Sequence, residues 1–407
     1  MIVDALQQNY LQTRSAQPVS SGGFLGNFFG GGAVTKNGTV VNNNSALTLS
    51  AFYNGITILS NDYAKLPKSV IVKADNNRTP DSKHVVNNLI GTRPNQYMSA
   101  FNYDSIMMQC AILKGNAYSE IVRNKFTGKI ESRQFINENK TPVTVKEFEE
   151  KLFYHFNNRV VPAENMEHII GFSDNGITGI GVVAYAAKSL SVPLKSQEFA
   201  EEYYRSKGIG VGVITNAVPI KDDAKIRYAK AVSDQLSSAN PFKVAVLDQA
   251  GSFQHVKLTP QESMFLETNK HAIEEVARWL NIPSHKLKST ENSNYSNMES
   301  QNIDHTSNSV LPWSIKFRQE QNEKLFTAKE KANGYRIHHN SNSLLEADKK
   351  TQAMWFSTLV YSGAMTRNEV RNLLDMNSLA GLDEPLTPVN METMAQIQKK
   401  LKEVENE

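Results

Sequence analysis

The feature that most constrains this chain is a helix-forming run from Thr259 to Leu280. Thr259-Pro260-Gln261-Glu262 carries the start signal: threonine caps, proline fits the first helical position, and glutamate bonds back to the cap. At 1.5 Å per residue the run would span roughly 33 Å. Leu266, Ile273, Ala277 and Leu280 make one apolar stripe, and Phe265, Ala272, Val276 and Trp279 make an adjacent one. A helix apolar over two adjacent stripes must be covered on more than one side, as in a bundle or a ring. Asn281-Ile282-Pro283 ends the run, because the residue before a proline avoids helical geometry.

A second run, 180–207, places Val183, Ala187, Leu190 and Leu194 on one face. Pro193 lies inside it, which predicts a kink or a restart. Between the two runs, Gly208, Gly210 and Gly212 alternate through a strand-like stretch to Ile214. A short helix (221–237) and a strand Lys243–Leu247 follow, so 208–258 reads as a small α/β insertion. After the second helix, Ser284–Asn297 is polar and rich in serine and asparagine.

Residues 1–44 are glycine- and asparagine-rich and read as a flexible arm, since such composition cannot offset the entropy of ordering the backbone. Phe24, Leu25, Phe28 and Phe29 form an apolar patch within it. Order is expected from Ser45. Leu49, Phe52, Ile56, Leu59 and Tyr63 recur at helical spacing up to Leu66-Pro67. A strand Ser69–Val72, a helix Ser99–Leu113, a turn at Gly115-Asn116 and a strand Ala117–Arg123 follow. Short strands continue to about residue 172, so 45–178 reads as one α+β domain. A long helix, 298–332, is expected to kink at Pro312. The last unit, 347–407, reads as helical, with a capping box at Thr366-Arg367-Asn368-Glu369.

The chemistry of the chain narrows its function. Lys and Arg number 44 against 41 Asp and Glu, a formal net charge of +3, which argues against tight static binding of phosphate backbones. A channel in which nucleic acid slides remains compatible with that balance. Gly128-Lys129 is followed by Ile130 and lacks the upstream glycine of a phosphate-cradling loop. The nine histidines show no metal-ligand spacing, and in a strand His338 and His339 would face opposite ways. Asp222-Asp223 and Glu149-Glu150 read as solvated helix faces. The single cysteine, Cys110, sits among apolar residues and reads as a small buried hydrophobe. No catalytic residue, metal site or cofactor is expected, and the chain is not expected to be an enzyme. No apolar run approaches the ~18–20 residues of a membrane span. No charged segment followed by an apolar stretch opens the chain, so no secretory signal and a reducing cytosol are expected.

Several segments, in order, resemble the phage portal family in its siphophage branch. They are Ala51-Phe52-Tyr53 to Ala64-Lys65-Leu66-Pro67; Arg93-Pro94-Asn95-Gln96-Tyr97; and Gly115-Asn116-Ala117-Tyr118. The most specific joins Leu258-Thr259-Pro260 and Phe265-Leu266-Glu267 to Ile273-Glu274-Glu275-Val276-Ala277-Arg278 and Ile282-Pro283. Tyr295-Ser296-Asn297-Met298-Glu299, Leu311-Pro312-Trp313 and Gly363-Ala364-Met365-Thr366-Arg367-Asn368 complete the match over about residues 46–376. Two departures stand out: Gly179-Ile180-Gly181 replaces the usual Ser-Pro before the first long helix, and Pro193 falls inside that helix.

The resemblance implies a portal fold whose subunits close into a ring of twelve around a DNA channel. It implies a wing (45–178 with 298–346), stem helices (179–207 and 259–282), a clip (208–258), a tunnel loop (283–297) and a crown (347–407). Val183, Ala187, Phe265, Ala272, Val276 and Trp279 would then serve the stem, and Gly208, Gly210 and Gly212 the clip's docking surface. Ser284, His285, Lys286, Lys288, Ser289, Asn292, Asn294 and Tyr295 would line the channel. Implied partners are other copies of the chain, double-stranded DNA, terminase large subunit, head-tail adaptor, and major capsid and scaffold proteins, with no membrane. The implied location is the capsid vertex of a virion assembled in the host bacterial cytoplasm. The alternatives are another structural connector or minor capsid protein, or a nucleic-acid-processing enzyme.

Overall fold

Asn42-Asn43-Asn44, read as the end of the arm, instead begin a helix. The Asn42 side chain accepts from the Ser45 backbone N–H at 2.9 Å, and Ser45 Oγ accepts from the Asn42 N–H at 2.9 Å. This reciprocal cap satisfies donors a helix start leaves free, the local reason that asparagines here order the chain. The computed structural model describes residues 33–34, 40–74, 77–205, 212–216, 226–227, 251–255, 262–287, 301–344, 349–374 and 376–386. Most of the 1–44 arm, including its phenylalanines, lies outside the described residues. A short antiparallel pair, β1 (Ala33–Val34) and β2 (Val40–Val41), precedes α1 (Asn43–Leu47).

The chain forms two units, Met1–Asn340 and Ser341–Glu407. In the first, α2 (Ser50–Ala64) buries all five residues of the expected stripe, Leu49 to Tyr63. β3 (Lys68–Ala74) and β4 (Asn77–Pro80) follow. α3 (Val85–Gly91), which the sequence reading missed, is capped by His84, whose Nδ1 accepts from the Val86 N–H at 3.2 Å. α4 (Ala100–Leu113) starts behind its Ser99 cap and packs on α2. Cys110 on α4 is half-buried, and burial pushes its thiol up to about 11.

Next come β5 (Asn116–Arg123), β6 (Ile130–Ile136), β7 (Thr144–Phe148), β8 (Lys151–Phe156), β9 (Arg159–Pro162) and β10 (Met166–Ile170). They form two antiparallel sheets, ordered β10-β5-β6 and β7-β8-β9. Glu149-Glu150 is not a helix face but the two-residue turn between β7 and β8, with φ of 48° and 60°. Asn157-Asn158 turns the next hairpin in the same left-handed region. Turns of that hand match the twist of the strands they join.

The long helices are α5 (Val182–Arg205) and α6 (Glu262–Leu280), which pack on each other. α5 runs through Pro193 without restarting; Leu190 and Leu194 are buried on either side, so packing holds both neighbouring turns. Between them, β11 (Gly212–Asn216) pairs antiparallel with β12 (Gly251–His255). The described strand starts at Gly212 and runs two residues beyond the expected Ile214, and β12 was not anticipated. Gly208, Gly210, the strand 243–247 and all but Ile226–Arg227 of the helix 221–237 lie outside the described residues.

The described part of the expected 298–332 helix runs from Gln301 to Lys324 with a π-helical widening and then restarts once. His305–Val310 is a π-helical turn, α7 (Leu311–Lys324) follows, and α8 (Ala328–Ala332) restarts behind a Thr327–Glu330 capping box. α7 packs on β10, and β13 (Tyr335–His339) adds to the β3–β4 sheet, pairing with β3 from Tyr335↔Val72 to His339↔Lys68. His339 is buried and His338 is not, as alternation requires. In the second unit, α9 (Lys349–Tyr361) and α10 (Arg367–Leu373) are helical and Thr366 caps as expected. That unit spans Ser341–Glu407. Among the described residues, no helix is long and apolar enough to cross a membrane.

Candidate functional site

Four glycines fasten the first long helix to the body. Cβ atoms built at Gly179 and Gly181 would lie 2.0 Å from the carbonyl oxygens of Gly115 and Leu113, and one at Gly171 would lie 2.6 Å from that of Ala111. Only glycine permits backbones this close. Gly179-Ile180-Gly181 therefore ties the start of the helix closely to the body. Asn116 locks the same joint: its Oδ1 accepts from the Gly179 N–H at 2.7 Å and its Nδ2 donates to the Gly179 carbonyl at 2.9 Å. Behind Asn116, His168 Nε2 lies 2.9 Å from Oδ1, and Tyr154 Oη lies 3.2 Å from His168 Nδ1. Burial drives His168 down to about 3, so it is neutral at pH 7. Nε2–H then donates to Asn116, and Nδ1 accepts from Tyr154.

On the paired helices, Val183, Ala187 and Val276 are buried, Ala272 is half-buried and Trp279 is 38% exposed; the Phe265 side chain lies outside the described residues. The outward face of α6 carries Glu267, Lys270, His271, Glu274 and Arg278. Arg278 pairs with Glu275 and, at 3.2 Å, with Glu274. The two signs alternate along this face, so it presents no continuous basic stripe.

α6 ends in a Schellman arrangement. Asn281 adopts φ +52°, its N–H bonds the Arg278 carbonyl at 3.2 Å, and the Ile282 N–H bonds the Ala277 carbonyl at 2.9 Å. Leu280, Ile282 and Leu287 converge on Gly55 of α2, where a Cβ would meet Leu280 Cδ1 at 2.4 Å and Leu287 Cδ2 at 3.4 Å. The first residues of the polar stretch are thus not a free loop. Ser284–Leu287 is a 3-10 turn pinned by buried Leu287, with Ser284 exposed and His285 and Lys286 half-buried. Burial lowers His285, an effect Asn302 opposes. Lys288, Ser289, Asn292, Asn294 and Tyr295 lie outside the described residues.

Where the chain returns, Pro312 offers no N–H to the Asn308 carbonyl and its ring crowds that position. The backbone widens there into the π turn. The Asn281 side chain reaches across and donates to the Asn308 carbonyl at 2.8 Å, while Ser309 Oγ donates to the Asn281 carbonyl. His305 Nε2 lies 3.0 Å from Asp62 Oδ2 on α2. Burial would raise Asp62, but His305 and Lys65 outweigh it and hold the carboxyl below its ordinary value.

Sequence reasoning also missed two buried ion pairs. Arg133 binds Glu167 through Nη2 at 2.7 Å and Nε at 3.0 Å, with both side chains at most 1% exposed. Gln321 and Tyr103 also donate to Glu167, each at 3.3 Å. Lys68 pairs with Asp104, equally buried; burial depresses the Lys68 ammonium and Asp104 opposes that. Arg133 is a buried position of β6 opposite Ile121, on the face of the sheet away from that of Ile136. A lone charge at an inward strand position was the available signal. Among the described residues, no group of His, Cys, Asp or Glu could hold a metal ion.

The family model described as phage portal protein matches residues 50–375. The portal protein of Enterobacteria phage HK97 is 23% identical over 377 residues, covering 90% of this chain and 85% of its own length. An HK97-family phage portal protein from Corynebacterium diphtheriae has a similar structure: TM-score 0.57, 16% identity, covering 76% of this chain and 99% of that one. So does a chain from the neck of a native gene transfer agent particle solved with C12 symmetry: TM-score 0.54, 14% identity, covering 92% of this chain and 99% of that one.

Proposed function

The chain belongs to the phage portal protein family, and from that premise we propose that it closes into a ring of twelve at one capsid vertex and passes double-stranded DNA. The observation that carries this reading is the span of the family match, which runs unbroken through both long helices and the neck between α6 and α7. The C12 symmetry of the related particle neck supports the ring size. A head-to-tail ring needs staves with two covered faces. α5 and α6 have buried inner faces and still carry exposed apolar side chains for a neighbour.

The division of labour follows the family. The body formed by 45–178 and 298–346 is the wing, α5 and α6 are the stem, 208–258 is the clip, and 347–407 is the crown. Residues 283–297 form the tunnel loop. The balanced charge on α6 suits passage better than capture, because each fixed cation is multiplied around a ring and strong phosphate contacts would stall movement. Lys286 and Lys288 give weak, repeated contacts to the backbone of the duplex. ATP hydrolysis belongs to the terminase that docks on the clip, and a head-tail adaptor replaces it. Assembly, in the host cytoplasm, begins with capsid and scaffold proteins around the ring.

Electron microscopy of the purified chain is expected to show twelve-fold rings with an opening wide enough for duplex DNA. Compact monomers at high concentration, with and without scaffold protein, would overturn the reading. In assembled particles, Lys286→Ala with Lys288→Ala should keep the ring and change the DNA packaged or retained.

A further inference from the structure

The neck between α6 and α7 is closed by one residue. Asn281 terminates α6 through its left-handed backbone, accepts Ser309 Oγ on its own carbonyl, and donates from Nδ2 to the Asn308 carbonyl at 2.8 Å. Its partners are 27 and 28 residues away in sequence. Both partners belong to the π turn, the element created where Pro312 withholds an N–H from Asn308. Two further contacts fix each side of the neck to α2: Leu280, Ile282 and Leu287 seat around Gly55, and His305 reaches Asp62 at 3.0 Å.

The chemistry of this clasp is specific. An α-helical turn in place of the π turn would need one residue fewer between Asn281's partners and the segment leading into them. It would rotate Gln301–Asp304 by about 100° about the helix axis and slide it about 1.5 Å. Asn308 and Ser309 would then no longer face Asn281. The clasp therefore selects the π register. Asn281 is exposed and Ser309 is buried, and a single hydrogen bond adds little net stability, so losing either bond should leave global stability nearly intact while freeing the register locally.

We infer that Asn281 is a positioning residue for DNA passage: it holds the end of α6 to the π turn and so fixes the two ends of the neck, Leu287 and Gln301, relative to each other. This rests on the proposed function of the ring, and the test separates the two. Asn281→Gly keeps the left-handed backbone but removes the donor; Ser309→Ala removes the second bond and leaves Asn281 intact. In rings of the full chain, hydrogen exchange at amides 302–311 should rise at least tenfold in each variant, with melting temperature shifted by no more than a few degrees. In particles carrying the variant ring, ring occupancy should match wild type while the DNA retained falls several-fold.

Unchanged exchange in both variants would show that no clasp operates. Faster exchange with wild-type DNA retention would show a structural tie without a role in passage. Either result removes this inference and leaves the ring intact as a reading. If particles carrying the wild-type ring hold no DNA through it, the proposed function itself fails. Should Asn281→Gly not assemble, Ser309→Ala alone decides.

Discussion

The sheet-bearing body and the paired helices pack with different residue types. The body buries Arg133, Glu167, Lys68 and Asp104 and joins its backbones through glycines at distances no side chain would allow. Among the described residues, the paired helices bury only small and aliphatic side chains on their inner faces, and Trp279, Val192 and Phe199 remain 38–50% exposed. Buried ion pairs offset their desolvation only when geometry and further hydrogen bonds are complete. Arg133–Glu167 meets that condition, with Tyr103, Gln321 and the Leu89 carbonyl completing the shell. The body's buried charges are thus satisfied within the subunit. The paired helices bury no such pair among the described residues, and their exposed apolar side chains are the surface a neighbouring copy would cover in the proposed ring.

The largest effect that tests this contrast is Arg133→Ala. It strands Glu167 in a site 0% exposed, and removing one partner of a buried pair typically costs about 3–5 kcal/mol. Urea unfolding of the chain should register that loss. A change below about 1 kcal/mol would mean the pair is a passenger and would erase the distinction between the two regions. Trp279→Ser on α6 should show the opposite profile.

These differences explain what was legible in the sequence. The α2 stripe, the Ser99 and Thr366 caps and the stop at Asn281-Ile282-Pro283 are local signals, and each formed where its chemistry placed it. Glu149-Glu150 misled because glutamate has no preference for left-handed turns; the hairpin imposes that geometry from the pairing of Phe148 with Lys151. Arg133 and Glu167 are 34 residues apart and meet only because β5 lies between their strands. The glycine joint was noticed as a departure, Gly179-Ile180-Gly181, yet its reason, the carbonyls of Gly115 and Leu113, appears only in three dimensions. Asn281 was read as a stop; its second role depends on a proline 31 residues later, so no local window contains it.

A second test of the body is acid. His168 titrates at about 3 when folded against about 6.5 unfolded. A base whose folded value is depressed contributes stability that is complete above pH about 6.5 and is lost as pH falls toward the folded value. The body should therefore lose on the order of 3 kcal/mol between pH 6.5 and pH 4. His168→Gln, which keeps a donor toward Asn116, should flatten that dependence when unfolding is followed across the same range. If wild type and variant fall in parallel, the joint does not depend on a neutral imidazole, and the protonation logic of Tyr154–His168–Asn116 is wrong.

The smallest expected effect on the folded subunit is the most informative about the helices. Trp279 lies beside Phe172, Tyr185 and Trp313 around an apolar groove, and none of these side chains is fully covered. Trp279→Ser removes a large apolar group that the isolated subunit covers only in part, so unfolding of monomeric chain should move by about 1–2 kcal/mol. If a neighbouring subunit covers the same surface, the loss is repeated at every contact of the closed ring, and the concentration needed for assembly should rise at least tenfold. Analytical ultracentrifugation of wild type and variant measures both species. Equal assembly would place the interface elsewhere on the subunit; a large loss of monomer stability would mean that Trp279 belongs to the core, and that the helices are as self-contained as the body.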